Sequence, residues 1–179
     1  MGRILNICEV GNPLLAIKCE EVDLKNINKE ILEEIEDMKS TLEFSEGYGI
    51  AAPQVGINKR IIIIKVSKEN CNYENAEDVP ETVMINPIWE SLNDETDLKF
   101  EGCLSVPEIR GKVRRYKNIK VSYFDENGNK IEKILKDFTA RLVQHECDHL
   151  DGFTLLDRVE GPHGFATKDM IRKFNLNMV

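Results

Sequence analysis

The 179-residue chain has no apolar run approaching the ~18 residues a membrane-crossing helix needs, which excludes a helical span. Positive charge is scarce. The 24 Lys and Arg stand against 32 Asp and Glu, leaving a net charge of −8. No broad cationic surface follows from this balance, so direct DNA binding is not expected. A local basic run (Lys112, Arg114, Arg115, Lys117) reads as a solvated face, which still permits transient contact with an RNA-rich assembly such as the ribosome. Cysteine is odd in number: Cys8, Cys19, Cys71, Cys103 and Cys147 make no paired framework. Met1 to Cys8 lacks the apolar core of a secretory signal, so reduced thiols in a cytosol-like compartment are expected. Repeats and long low-complexity segments are missing too. One domain over 1–179 is expected, as a monomer, with a less ordered tail from about residue 160.

Histidine occurs three times, and two of the three fall within Gln144-His145-Glu146-Cys147-Asp148-His149-Leu150-Asp151-Gly152. This is an H-E-x-x-H pattern. On a helix, positions four apart lie about 40° apart around the axis and about 6 Å along it. Both imidazoles can then reach one divalent metal, and Glu146 projects beside them, where a carboxylate can take a proton from water. Asp137 and Thr139 are candidate N-caps and Gly152 a candidate stop. Ala140, Leu142, Val143 and Leu150 supply packing surface. The bland alternative is a surface helix with two incidental histidines, because short motifs match by accident.

The rest of the chain reads as follows. Ile4 to Cys8 fits either a helix or a strand, and Gly11-Asn12-Pro13 is a turn signal. Ile31, Leu32, Ile35, Met38 and Leu42 predict a helix over 27–43, capped by Asn26 or Asn28 and ending near Gly47. Gly47-Tyr48-Gly49-Ile50-Ala51-Ala52-Pro53-Gln54 carries little side-chain bulk, so another backbone can approach it closely. Four consecutive isoleucines mark a buried strand over Arg60–Val66. A polar loop covers Cys71–Pro80, and a short strand over Thr82–Ile85 closes at Asn86-Pro87. Asn93–Asp97 is a polar turn and Leu98–Ser105 is extended. Asn118–Phe124 and Lys130–Leu135 flank Glu126-Asn127-Gly128-Asn129, a hairpin signal. Met170, Ile171 and Phe174 suggest a short C-terminal helix. The order favours an α+β fold, with short antiparallel or mixed sheets packed around the H-E-x-x-H helix, an N-terminal helix and a short C-terminal one.

A metal needs a further ligand. Among the five cysteines Cys103 is the best placed chemically, since it follows Gly102 in an extended run and a thiolate suits zinc or ferrous iron. A buried free cysteine acting as a small hydrophobe is the alternative.

Three stretches together go further. Gly47–Gln54, Glu101-Gly102-Cys103-Leu104-Ser105 and Gln144–Leu150 resemble, in order and separation, the three signature motifs of the peptide deformylase family. The resemblance implies hydrolysis of the N-formyl group from the initiator methionine of nascent chains, with release of formate. It implies one divalent metal, natively Fe(II), held by Cys103, His145 and His149; zinc, nickel or cobalt are alternative occupants. It implies that Glu146 is the general acid/base, and that Gln54 and the backbone N–H of Leu104 bind the oxyanion. Backbone groups around Tyr48, Gly49 and Gly102 would pair with N-formyl-methionyl peptides, and a bacterial cytoplasm is expected before an organelle. Three positions depart from the common pattern. Ala16 stands where many members carry arginine. Tyr48 is bulkier than the usual valine or isoleucine. Arg141 replaces an apolar residue near the methionine pocket, so that pocket is expected to differ in shape. Asp148 adjoins His149 on the helix and Arg115 follows the Cys103 strand closely enough to return beside it, so an ion pair between Arg115 and Asp148 is expected.

Two other readings compete. One endopeptidase branch continues the motif with glycine and a third histidine; Gly152 fits the glycine, but Leu155 stands at the histidine position. Another needs a glutamate ligand on a later helix, with little chain left for it. A noncatalytic binding module would be expected to have lost Glu146 or a ligand, and all are present.

Overall fold

The computed structural model describes residues 2–71, 76–174 and 176. Residues 72–75 of the expected polar loop therefore lie outside the described residues. Helix α1 spans Lys29–Ser45 and begins where the Asn28 side chain accepts the Ile31 N–H at 3.1 Å. Ile31, Ile35, Met38 and Leu42 recur at helical spacing and are buried, whereas Leu32 faces outward. Strand β1 is Gly49–Ala51, followed by a 3-10 turn over Ala52–Val55 and by β2, Ile61–Val66. The four isoleucines of β2 divide by parity. Ile61 and Ile63 pack with α1, and Ile62 and Ile64 pack on the opposite face. A strand covered on both sides explains the unbroken apolar run.

Strand β3, Val79–Ser91, is longer than the short strand expected. Asn86-Pro87 does not close it. The chain bulges there, with Asn86 at φ 50° and its side chain bonded to both backbone groups of Val22. β4 is Thr96–Cys103, β5 Val106–Tyr116, β6 Asn118–Phe124 and β7 Lys130–Lys136. The predicted hairpin is β6–β7. Lys112, Arg114 and Arg115 of the basic run lie in the second half of β5; Arg114 is exposed, as a solvated face requires, but Arg115 is buried. Ile4–Cys8 is neither helix nor strand.

Helix α2, Asp137–Leu150, follows. Its N-cap is Lys136, with no side-chain bond, so neither Asp137 nor Thr139 caps it. Asp137 is its first residue, at φ 45°. A single helical turn, α3 (Leu155–Arg158), then β8 (Phe165–Thr167) and α4 (Lys168–Phe174) complete the described chain. On α4 only Ile171 is buried; Met170 and Phe174 are exposed.

The strands form two antiparallel sheets, ordered β1-β2-β3-β6-β7 and β4-β5-β8. α1 covers one face of the larger sheet and α2 the other. The smaller sheet closes against α2 as well. Gln144 accepts the Tyr116 N–H at 3.0 Å and donates to the Tyr116 carbonyl at 2.8 Å. Every residue from Phe138 to Leu150 is buried. The fold is α+β with the H-E-x-x-H helix at its centre. No described helix is long and apolar enough to cross a membrane.

Candidate metal centre and active site

α2 presents His145 and His149 on one side, their rings edge to face with centroids 5.1 Å apart. The end of β4 brings Cys103 to them, with its Sγ 3.2 Å from His149 Nε2. The ligand atoms of Cys103, His145 and His149 all lie within 4.8 Å of one another, and the three side chains are buried. Burial together with the neighbouring His145 holds His149 well below its ordinary pKa, so the ring is neutral and one of its two nitrogens carries no proton. Burial works against a charge on His145, but the Cys103 sulfur and Glu101 outweigh it and raise that imidazole. Ligands of this kind bind a cation as thiolate and neutral imidazole, so loading such a site releases protons. A thiolate with two imidazoles suits zinc or ferrous iron, and the three donors leave a position for water or substrate.

Glu146 lies beside this cluster and is 3% exposed. Burial pushes its carboxyl up to about 7, with His145 opposing. Its Oε2 has no hydrogen-bond partner among the described residues. β1 runs directly over it. A Cβ on Gly49 would stand 2.5 Å from Glu146 Oε1, so only glycine lets the two approach this closely. Gln54, held by the 3-10 turn after β1, is buried; its carbonyl accepts the Ala51 N–H at 2.9 Å. Its amide nitrogen donates to Ser105 Oγ at 3.2 Å and toward Cys103 Sγ at 3.6 Å. Leu104 follows Cys103 in a tight turn and packs toward the α1 cluster. Tyr48 stacks edge-on against Phe138 of α2, ring centroids 5.5 Å apart, and its carbonyl accepts the Lys65 N–H. Gly102 lies under the Arg110 guanidinium, where a Cβ would come within 2.7 Å.

Several supporting residues escaped sequence reasoning. Glu101 is buried, and its carboxylate accepts from His145 Nδ1 at 2.9 Å and from Arg115 Nε and an Arg115 terminal nitrogen at 3.0 Å each. Burial alone would raise this carboxyl, but Arg115 and His145 overcome it and hold Glu101 well below the usual carboxylate range. Arg115 also binds Asp148 at 2.5 Å, the one pairing of this group that was expected from the sequence, and Arg158 binds the other Asp148 oxygen. Arg141 does not present a free cation to a substrate pocket; its guanidinium turns to Glu101 and Asp97. The two-residue spacing of Glu101 and Cys103 was the available signal, because alternate strand residues share a face. A bulge between them alters the register, so spacing alone was insufficient.

A buried cysteine–bis-histidine cluster with an adjacent carboxylate, set on the central helix of an α+β fold, is the arrangement of a metal-dependent hydrolase. The polypeptide deformylase family model matches residues 4–164, and the chain belongs to that family. It is 42% identical over 168 residues to peptide deformylase 2 of a Nostoc species, covering 93% of this chain and 92% of that protein. It is also 38% identical over 168 residues to the chloroplastic/mitochondrial peptide deformylase 1A of Arabidopsis thaliana, covering 89% of this chain and 62% of that one. Among solved structures, the Met-Ala-Ser-bound class I type b peptide deformylase of Acinetobacter baumannii superposes with a TM-score of 0.83. It is 36% identical, covering 89% of this chain and all of that one. The reaction is removal of the N-formyl group from the initiator methionine of new polypeptides.

Proposed function

We propose that Cys103, His145 and His149 hold one divalent ion, Fe(II) in the cell, and that Glu146 carries the proton in deformylation. The convergence of three ligand atoms within 4.8 Å beside the buried Glu146 carries this reading. When bound, the ion acts as a Lewis acid at the formyl carbonyl and lowers the pKa of the attacking water. Glu146, with its carboxyl near 7, can take that water's proton close to neutral pH and pass it to the departing amine. Gln54 and the Leu104 N–H serve the developing oxyanion; the Gln54 amide already faces the cluster. β1 and β4 are edge strands of their sheets, so a peptide could add as a further strand beside Gly49 and Gly102, with Tyr48 adjoining.

The direct test is formate release from a formyl-Met peptide, compared with cleavage of the same peptide unformylated. Formate release alone is expected; cleavage of internal bonds would put the chain with endopeptidases. For the metal, apo protein is reconstituted without oxygen with Fe(II), Zn(II), Ni(II) or Co(II). The Fe(II) form is expected to start fast and decay in air, as the iron and then Cys103 oxidise, while Ni(II) holds its rate. A Zn(II) form equal to Fe(II) from the start and indifferent to air would make zinc the native ion. A monomer acting in a bacterial cytoplasm, with transient contact at the ribosome, completes the reading.

A further inference from the structure

The geometry points to Arg141 as a positioning residue of the metal centre: through Glu101 it sets where His145 stands relative to Cys103. Arg141 is 3% exposed, so its cation is retained in the interior only by what it binds. Its guanidinium donates to Glu101 Oε1 at 2.6 Å, to the Val113 carbonyl at 2.9 Å, to the Asp97 carbonyl at 3.0 Å and to the Asp97 carboxylate. Asp97 and Glu101 are on β4 and Val113 on β5. One side chain of α2 therefore grips both strands of the hairpin that carries Cys103. His145 is the next residue but three on the same helix.

The Glu101 carboxylate joins the two halves. Its Oε1 takes Arg141 and Arg115 Nε; its Oε2 takes His145 and the second Arg115 nitrogen. With Oε1 fixed from α2, the carboxylate cannot swing, and Oε2 stays on His145 Nδ1. That bond fixes the imidazole's tautomer and aims Nε2 toward Cys103 and His149. Arg115 alone leaves the arrangement short of a strut, because it reaches α2 only near its C-terminal end, at Asp148. Charge agrees with this division of labour. Glu101, Asp97 and Asp148 face Arg115, Arg141 and Arg158, three against three. Removing Arg141 leaves a surplus negative charge next to His145.

The inference rests on reading Cys103, His145 and His149 as metal ligands, and not on which amide is cleaved. Its test compares wild type with Arg141→Met, Arg141→Lys and Asp97→Asn, each loaded with Co(II). Three properties are measured: the visible spectrum, the rate of cobalt loss to a chelator, and kcat and KM on a formyl-Met peptide. Arg141→Met is expected to lose cobalt about 10–100-fold faster, to shift the cobalt bands, and to lose kcat with KM little changed. Arg141→Lys keeps the charge without the fork and falls between. Asp97→Asn leaves every Glu101 donor in place and moves the same readouts less. Wild-type spectrum and release rate in Arg141→Met overturn the inference, as does a rise in KM alone, which would make Arg141 a substrate contact. Should Arg141→Met not fold, unchanged spectra and release rates in the other two variants overturn it equally. A wild type that takes up cobalt without thiolate coordination defeats the metal reading itself.

Discussion

Glu146 directly follows His145, yet its Oε2 has no hydrogen-bond partner among the described residues. Glu146→Gln should keep the metal and lose about 10²–10⁴ in kcat, read from metal content and turnover on one preparation. Near-normal turnover would remove Glu146 from the proton path, and metal loss would make it a ligand. The neighbouring Gly49 offers a subtler probe. Gly49→Ala puts a methyl group against Glu146 Oε1, so the carboxylate must move while the ligands stay. Turnover should fall with metal content unchanged; equal turnover would mean that the contact is slack. Among the cysteines, Cys147 lies two residues from His145 but is buried with Ile62, Ile64 and Val143, and burial pushes its thiol up. Cys147→Ala should retain the metal and Cys103→Ala should lose it. The reverse result would relocate the site.

At the scale of elements, what was legible is what repeats or punctuates. The spacing of Ile31, Ile35, Met38 and Leu42 gave α1 to within two residues, and Asn127-Gly128 gave the β6–β7 hairpin. β5 was not legible, because Arg114, Arg115 and Lys117 look like a solvated run when their partners are unknown. The burial of Arg115 depends on Glu101, 14 residues back, and Asp148, 33 residues ahead. The pairing of Arg115 with Asp148 was inferable from motif neighbours; the Glu101 and Arg141 parts of the network needed coordinates. The start of α2 misled for a related reason: Asp137 is a good cap by type, but the chain enters the helix one residue earlier. Because Arg115 and Asp148 are buried, breaking either should destabilise by about 3–5 kcal/mol. Denaturant unfolding of Arg115→Met, Asp148→Asn and the double variant forms the cycle. Strict additivity would show that the two side chains do not interact.

Considered as a whole, the molecule draws its proposed ligands from two layers: Cys103 from the small sheet, and the histidines from the helix between the sheets. An ion held there ties those layers together in the folded state only. Chelation should lower the melting temperature, and at free metal 1,000-fold above Kd the linkage amounts to about 4.1 kcal/mol. Coincident melts with and without metal would mean that both layers close fully on their own. The enclosure of Phe138–Leu150 has a separate consequence, visible to deuterium. Active-site elements are commonly drawn from the first parts of a fold to open, but a helix with no exposed residue over thirteen positions has no local route to solvent. Its amides should exchange last, at rates set by global unfolding, while those of β1 and the turn after it exchange sooner. The chemistry would then sit on the slowest-opening part of the protein, with substrate entry left to the edge strands around it.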